Sequence, residues 1–166
     1  MRDSQIRFIR LQGYATSEAD DRLYSALMLQ PKLIGILVVF GSLVQSSWFF
    51  LALAVLLWWN AIVPTHNLFD AIYNYTVAYP RRLPPLGAAP APRRFAQALA
   101  GMNAFVIAAA LLAGANATAW VAEGMFIVAV LAVVFGDICS GANAYHLLRR
   151  LFDRSRPLQP NSQAGR

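Results

Sequence analysis

Thiols and charges are scarce in this 166-residue chain. A single cysteine, Cys139, excludes an internal disulfide and any metal site built from several thiolates of one chain. Charged residues make up 13% and apolar ones 58%, against about 25% and 45–50% in soluble domains. Such a composition cannot clothe a core in polar side chains. Also missing are a phosphate-binding glycine loop, a His-Glu-x-x-His pair, a Cys-x-x-Cys pair and a nucleophile elbow. No motif is therefore left for an enzyme class or a cofactor. What is there reads as a membrane protein with a net charge of +6.

Apolar residues concentrate in two blocks, 33–63 and 95–145. Each exceeds the roughly 20 residues that one crossing requires. Each is broken once, at Gln45-Ser46-Ser47 and at Gly114-Ala115-Asn116-Ala117-Thr118, where a polar side chain can cap the next helix. The pattern predicts an all-α integral membrane fold. Four transmembrane helices form two hairpins, 31–63 and 94–148, with Pro31 in the first turn of the first span. Residues 1–30 form a cytoplasmic, interfacial segment, 64–93 an amphipathic helix and Pro-rich connector, and 149–166 a basic, disordered tail.

Charge sets the expected orientation. The fourteen basic residues fall in three groups: Arg2, Arg7, Arg10, Arg22 and Lys32; Arg81, Arg82, Arg93 and Arg94; Arg149, Arg150, Arg154, Arg156 and Arg166. Neither hairpin tip carries one. Four crossings put all of them on one side, as the positive-inside rule requires, whereas three would strand a group outside. Both termini are thus expected in the cytoplasm. The first apolar run starts only at Leu33, so no cleavable signal peptide is expected. Trp48 and Trp120 near the tips, and Trp58 and Trp59 at the opposite end, fit interfacial belts. The bilayer is the first partner, with Arg81, Arg82, Arg93, Arg94, Arg149 and Arg150 meeting anionic headgroups at about 1 kcal/mol each.

The flanking segments carry amphipathic patterns. Arg2, Arg7 and Arg10 alternate with Ile6, Phe8, Ile9 and Leu11, and Ser17-x-x-Asp20 with Asp21 opens a short surface helix bearing Leu23, Leu27 and Gln30. In the loop, Leu68, Phe69, Ile72 and Tyr73 share one face of an interfacial helix, with Tyr75 and Tyr79 at headgroup depth. Small residues at Gly101, Ala104 and Ala108, beside Ala96 and Ala100, and at Gly136, Ser140 and Ala144 predict close packing of the third span on the fourth.

Ionisable groups at membrane depth are the functional candidates. Glu123, with Asn103 or Asn116, would make an ion or proton site, and Asp137 is expected to pair with Arg93 or Arg94. Cys139, Asn143 and His146 stand at i, i+4 and i+7, and His66 lies at the same end. One thiolate and two imidazoles are too few for a metal centre, so these residues read as a buried cysteine and interfacial histidines. No catalytic residue, metal or cofactor is expected.

Asn67-Leu-Phe-Asp-Ala-Ile-Tyr-Asn74, Pro84-Pro85, Ala91-Pro-Arg-Arg-Phe-Ala96 and Cys139-x5-Tyr145 carry a family likeness. Over roughly residues 30–150 the chain resembles the bacterial integral-membrane family called domain of unknown function 4395. The resemblance implies a small four-helix protein of the bacterial inner membrane without established activity. It also implies thiol or sulfur chemistry for members with a second cysteine at the positions of Gln97 or Ala142; here Cys139 stands alone. The expected function is that of a non-catalytic, multi-pass accessory or scaffold subunit of a larger membrane complex, with integral membrane partners. The alternatives are a small carrier or channel using Glu123, and thiol or sulfur redox at Cys139. Nucleic acid is not an expected partner, because topology accounts for the arginines.

Overall fold

A computed structural model describes residues 2–15 and 20–154, with Asp153 and Arg154 as backbone alone. Backbone groups in lipid have no water to bond, so helices that satisfy them internally are the favoured outcome. Among the described residues there is no strand, and the helices run α1 Asp3–Leu11, α2 Asp21–Val44, α3 Ser47–Ile62, α4 Leu68–Tyr73, α5 Ala91–Leu112, α6 Asn116–Gly136 and α7 Ser140–Arg154. A 3-10 turn at Pro64–His66 precedes α4, and a π-turn at Asn74–Ala78 follows it. Three helices among the described residues, α2, α5 and α6, are long and apolar enough to cross a membrane. The fourth apolar helix, α3, has 16 residues, about 24 Å of rise against a hydrocarbon core of about 30 Å.

Several expectations about boundaries are corrected. Pro31 does not start a helix; it sits inside α2, which runs unbroken from the Asp20 cap, whose carboxylate accepts from the Leu23 N–H at 2.6 Å. The expected surface helix and first span are therefore one element; Ser17 lies outside the described residues. The first break behaves as its polar residues suggest: Gln45 takes a left-handed conformation and Ser46 Oγ accepts from the Phe49 N–H at 3.3 Å. The second break uses no side-chain cap. Gly114 turns the chain at positive φ, and α6 starts at Asn116 without a capping bond from Asn or Thr.

The block 95–145 also breaks a second time. α6 ends at Gly136, Asp137 adopts φ +56°, and α7 begins at Ser140. Gly136, Ser140 and Ala144 thus lie on two helices rather than one stripe, and helix continues to Arg154 where a tail was expected. Residues 155–166 lie outside the described ones.

Helix pairing follows the small residues: α5 packs on α6, as expected, and more extensively still on α3, which was not foreseen. The small face of α5 serves α3: a Cβ at Gly101 would come within 2.8 Å of the Trp58 indole and 3.2 Å of the Ala54 carbonyl. Trp58 is accordingly wedged between the two helices, its Nε1 donating to the Ala98 carbonyl at 3.2 Å. α7 crosses α5 where Gly141 meets the Ala96 backbone, and α2 crosses α6 where Gly35 meets Val130. The main core gathers Val38, Phe50, Leu57, Ile107 and Ala108; a second one joins Phe8, Ile9, Leu27, Met28, Cys139 and Ala142. Ile36, Leu43, Val55, Val128 and Phe135 stay exposed on the outside, an apolar surface that water would not tolerate over this extent.

The loop face is also split. Phe69 and Tyr73 turn inward with Asp70, while Leu68 and Ile72 are exposed. Asn74 then pins the connector, accepting from the Leu86 N–H at 2.7 Å and donating to its carbonyl at 3.1 Å.

Gly101→Val should cost about 1–3 kcal/mol, since a branched side chain there overpacks against Trp58 and a backbone carbonyl. Gly124→Ala, with open space around it, should leave stability equal or slightly higher. Thermal unfolding in mild detergent distinguishes the two.

Candidate functional site

Helix starts favour anions, so a cation in the first turn of α5 calls for compensation. Arg93 occupies that turn and is only 4% exposed. Its compensating anion is Asp70, 5% exposed, on α4. Local chemistry sets Asp70 in place: Asn60 Oδ1 accepts from the Leu68 N–H at 2.9 Å, and Asn67 Oδ1 caps α4 by accepting from Phe69 and Asp70 N–H at 3.0 and 3.4 Å. These buried asparagines satisfy the orphan donors of a helix too short to stand alone.

The pair is bidentate. Arg93 Nη2 lies 2.5 Å from Asp70 Oδ1 and Nη1 lies 2.9 Å from Oδ2. Nη2 also donates to Gln30 Oε1 at 2.6 Å, and Nη1 to the Tyr14 hydroxyl at 3.1 Å. All four terminal guanidinium hydrogens are thereby engaged. One side chain joins the segment after α1, α2, α4 and α5. Next to it, Arg94 Nε donates to the Ala61 carbonyl at 2.7 Å, a cation at the negative end of α3. Arg93 therefore pairs neither with Asp137 nor with lipid headgroups, as expected of it, because it is buried and consumed internally.

The other expected candidates disperse. Glu123, 1% exposed, accepts from Gln45 Nε2 through both carboxylate oxygens at 3.0 Å, which ties the α2–α3 turn to α6. Asn103 donates instead to the Ala122 carbonyl at 3.3 Å, and Asn116 is exposed at the start of α6. Asp137 accepts from Ser4 Oγ at 2.8 Å and from the Tyr24 hydroxyl at 2.5 Å, not from an arginine.

Cys139, Asn143 and His146 do not converge. Cys139 is buried in the second core, where burial pushes its thiol pKa up; contacts with the Ala142 and Gly141 backbone and the Gln12 side chain pull the other way without reversing the shift. His146 Nε2 lies 3.1 Å from the Leu11 carbonyl, which only accepts, so that nitrogen carries the hydrogen. Asn143 and His146 instead border an outer cleft of about 290 Å³ with Arg10 and Arg150. His66 is exposed on the 3-10 turn beside Thr65. Among the described residues no three His, Cys, Asp or Glu side chains cluster as metal ligands.

Beside the Arg93 cluster lies a half-open cavity of about 390 Å³ lined by α2, α5 and α6, with α1 and α7 also contributing to its wall. Small side chains (Ala96, Ala100, Ala129 and Ala144) leave this space. Gln97, 3% exposed, lines it with both carboxamide atoms lacking a partner, and Cys139 borders the same space. The cavity, Gln97 and the Asp70–Arg93 pair escaped sequence reasoning. The signal for the pair was present, since two arginines opening an apolar helix require a buried acceptor.

The sequence matches the family described as domain of unknown function (DUF4395) over residues 26–150. No curated protein and no solved structure matches the chain.

Asp70→Asn or Arg93→Met, each leaving one buried group without its counter-charge, should cost about 3–5 kcal/mol. The double variant Asp70→Leu/Arg93→Met should recover much of that loss, a coupling that a double-mutant cycle of unfolding in detergent measures. At Cys139 the raised thiol pKa leaves less thiolate at neutral pH. Alkylation of the folded protein by iodoacetamide should therefore reach half-maximal rate at a higher pH than free cysteine does, and unfolding in dodecyl sulfate should abolish that difference.

Proposed function

This chain belongs to the DUF4395 family, and we propose that it is a non-catalytic membrane protein with four crossings that serves as an accessory or scaffold subunit of a larger membrane complex. The observation that carries this reading is the use made of the deep polar side chains. Arg93, Asp70 and Glu123 are each bonded within the protein and spend their hydrogen-bonding capacity on holding helices together. A carrier reading through Glu123 is weakened by the engagement of both its oxygens with Gln45, and a redox reading through Cys139 by the burial of that thiol.

The Gln45–Glu123 contact supports two turns at one end of the bundle, with the basic groups toward the other. The positive-inside rule then argues for both termini and the Arg81–Arg94 region in the cytoplasm, at a bacterial inner membrane. Trp48 and Trp59, exposed near opposite ends of α3, suit a helix anchored at both interfaces. A short span of this kind is accommodated by local thinning of the bilayer.

In a Cys139→Ser background, single cysteines at Ser46 and Ala115 should react with a membrane-impermeant maleimide on intact cells. Cysteines at Arg81 and Arg149 should react only after permeabilisation, and the reverse pattern refutes the topology. For the accessory role, the tagged chain extracted in mild detergent should migrate on native gels with a partner membrane protein. Migration as one chain plus its micelle refutes that role.

A further inference from the structure

We propose that the cavity between α2, α5 and α6 is a binding site for an uncharged, single-chain amphiphile with a hydroxyl-bearing head, drawn from the bilayer, whose head pairs with the Gln97 carboxamide. This goes beyond the accessory role and does not depend on it.

Gln97 carries the inference. A carboxamide offers donors and acceptors, and burying them unbonded costs stability in a folded chain. Here both atoms lack a protein partner although the side chain is almost wholly buried, and Gln97 lines a cavity large enough for a small ligand. A hydroxyl both donates and accepts, so it satisfies both atoms; a carbonyl satisfies only the amide hydrogens.

The surroundings select against charged heads. Arg93 is the cation on the cavity wall, and Asp70 already neutralises it, with its terminal hydrogens all committed. A phosphate or carboxylate would find no free Nη–H donor there. A quaternary ammonium would find no carboxylate among the residues that line the cavity.

The shape selects a chain. Gln97 lies one turn beyond Arg93, about 6 Å deeper along α5. From it the cavity is lined by Ala100, Phe126 and Val130, apolar groups that suit a hydrocarbon tail. Leu99 and Met125, which also border it, are exposed on the outer surface of α5 and α6. A tail longer than the cavity leaves between them toward lipid.

The test uses the full-length protein in nanodiscs with three photoreactive probes of equal chain length: a monoacylglycerol, a fatty acid and a phosphatidylcholine. The monoacylglycerol should label peptides covering 96–103 and 125–133, and unlabelled monoacylglycerol should compete. Gln97→Leu should reduce that labelling at least fivefold while the apo protein melts at the same or a higher temperature. Ala100→Phe, which fills the cavity, should abolish it. Equal labelling by all three probes, preference for the fatty acid, or unchanged labelling in a folded Gln97→Leu protein would overturn the proposal.

Discussion

The buried pairing of Arg93 with Asp70 is the constraint around which one end of this protein is organised. Removing two ions from water costs several kcal/mol each, and the pair is tolerable only because its geometry is bidentate and neutral acceptors complete the guanidinium shell. Tyr14 and Gln30 supply those acceptors from two further segments. The charge therefore cannot move without unpicking four parts of the chain. It also explains why so short a helix as α4 is capped by buried asparagines: the capping directs Asp70 inward.

The remaining polar ties follow the same physics. Lipid removes most of the hydrophobic drive for helix association, leaving close packing and interhelical hydrogen bonds to hold a bundle. Glu123 with Gln45 closes one end, and Asp137 with Ser4 and Tyr24 fastens α1 and α2 to the junction of α6 and α7. Between these ties the contacts are made by glycine and alanine, at Gly35, Gly101 and Gly141.

The cavity is a by-product of that economy. Ala96 is used against α7 and Gly101 against α3, each removing a bulky side chain from α5. On the intervening face, Ala100 and Ala129 border a space that no side chain fills, and Gln97 lines it as well. A bundle that relies on small residues for contact on two faces leaves room on a third, and that room is where a ligand finds a place.

Composition and charge scarcity alone determined that this is a helical membrane protein, because a chain so poor in charge cannot cover a soluble core and a backbone in lipid must bond to itself. Local chemistry also made the Gln45–Ser46 break legible, since caps and turns act within a few residues. Tertiary structure alone decided which helix answers which: that α5 gives its small face to α3, that the long α2 absorbs Pro31, and that Asp137 bends the chain into a separate α7. It alone decided the polar partners as well, for Asp70 with Arg93 and Gln45 with Glu123 meet across large sequence separations. In low dielectric a charge takes whichever counter-group the packing brings within reach, and spacing along the chain carries no record of that choice.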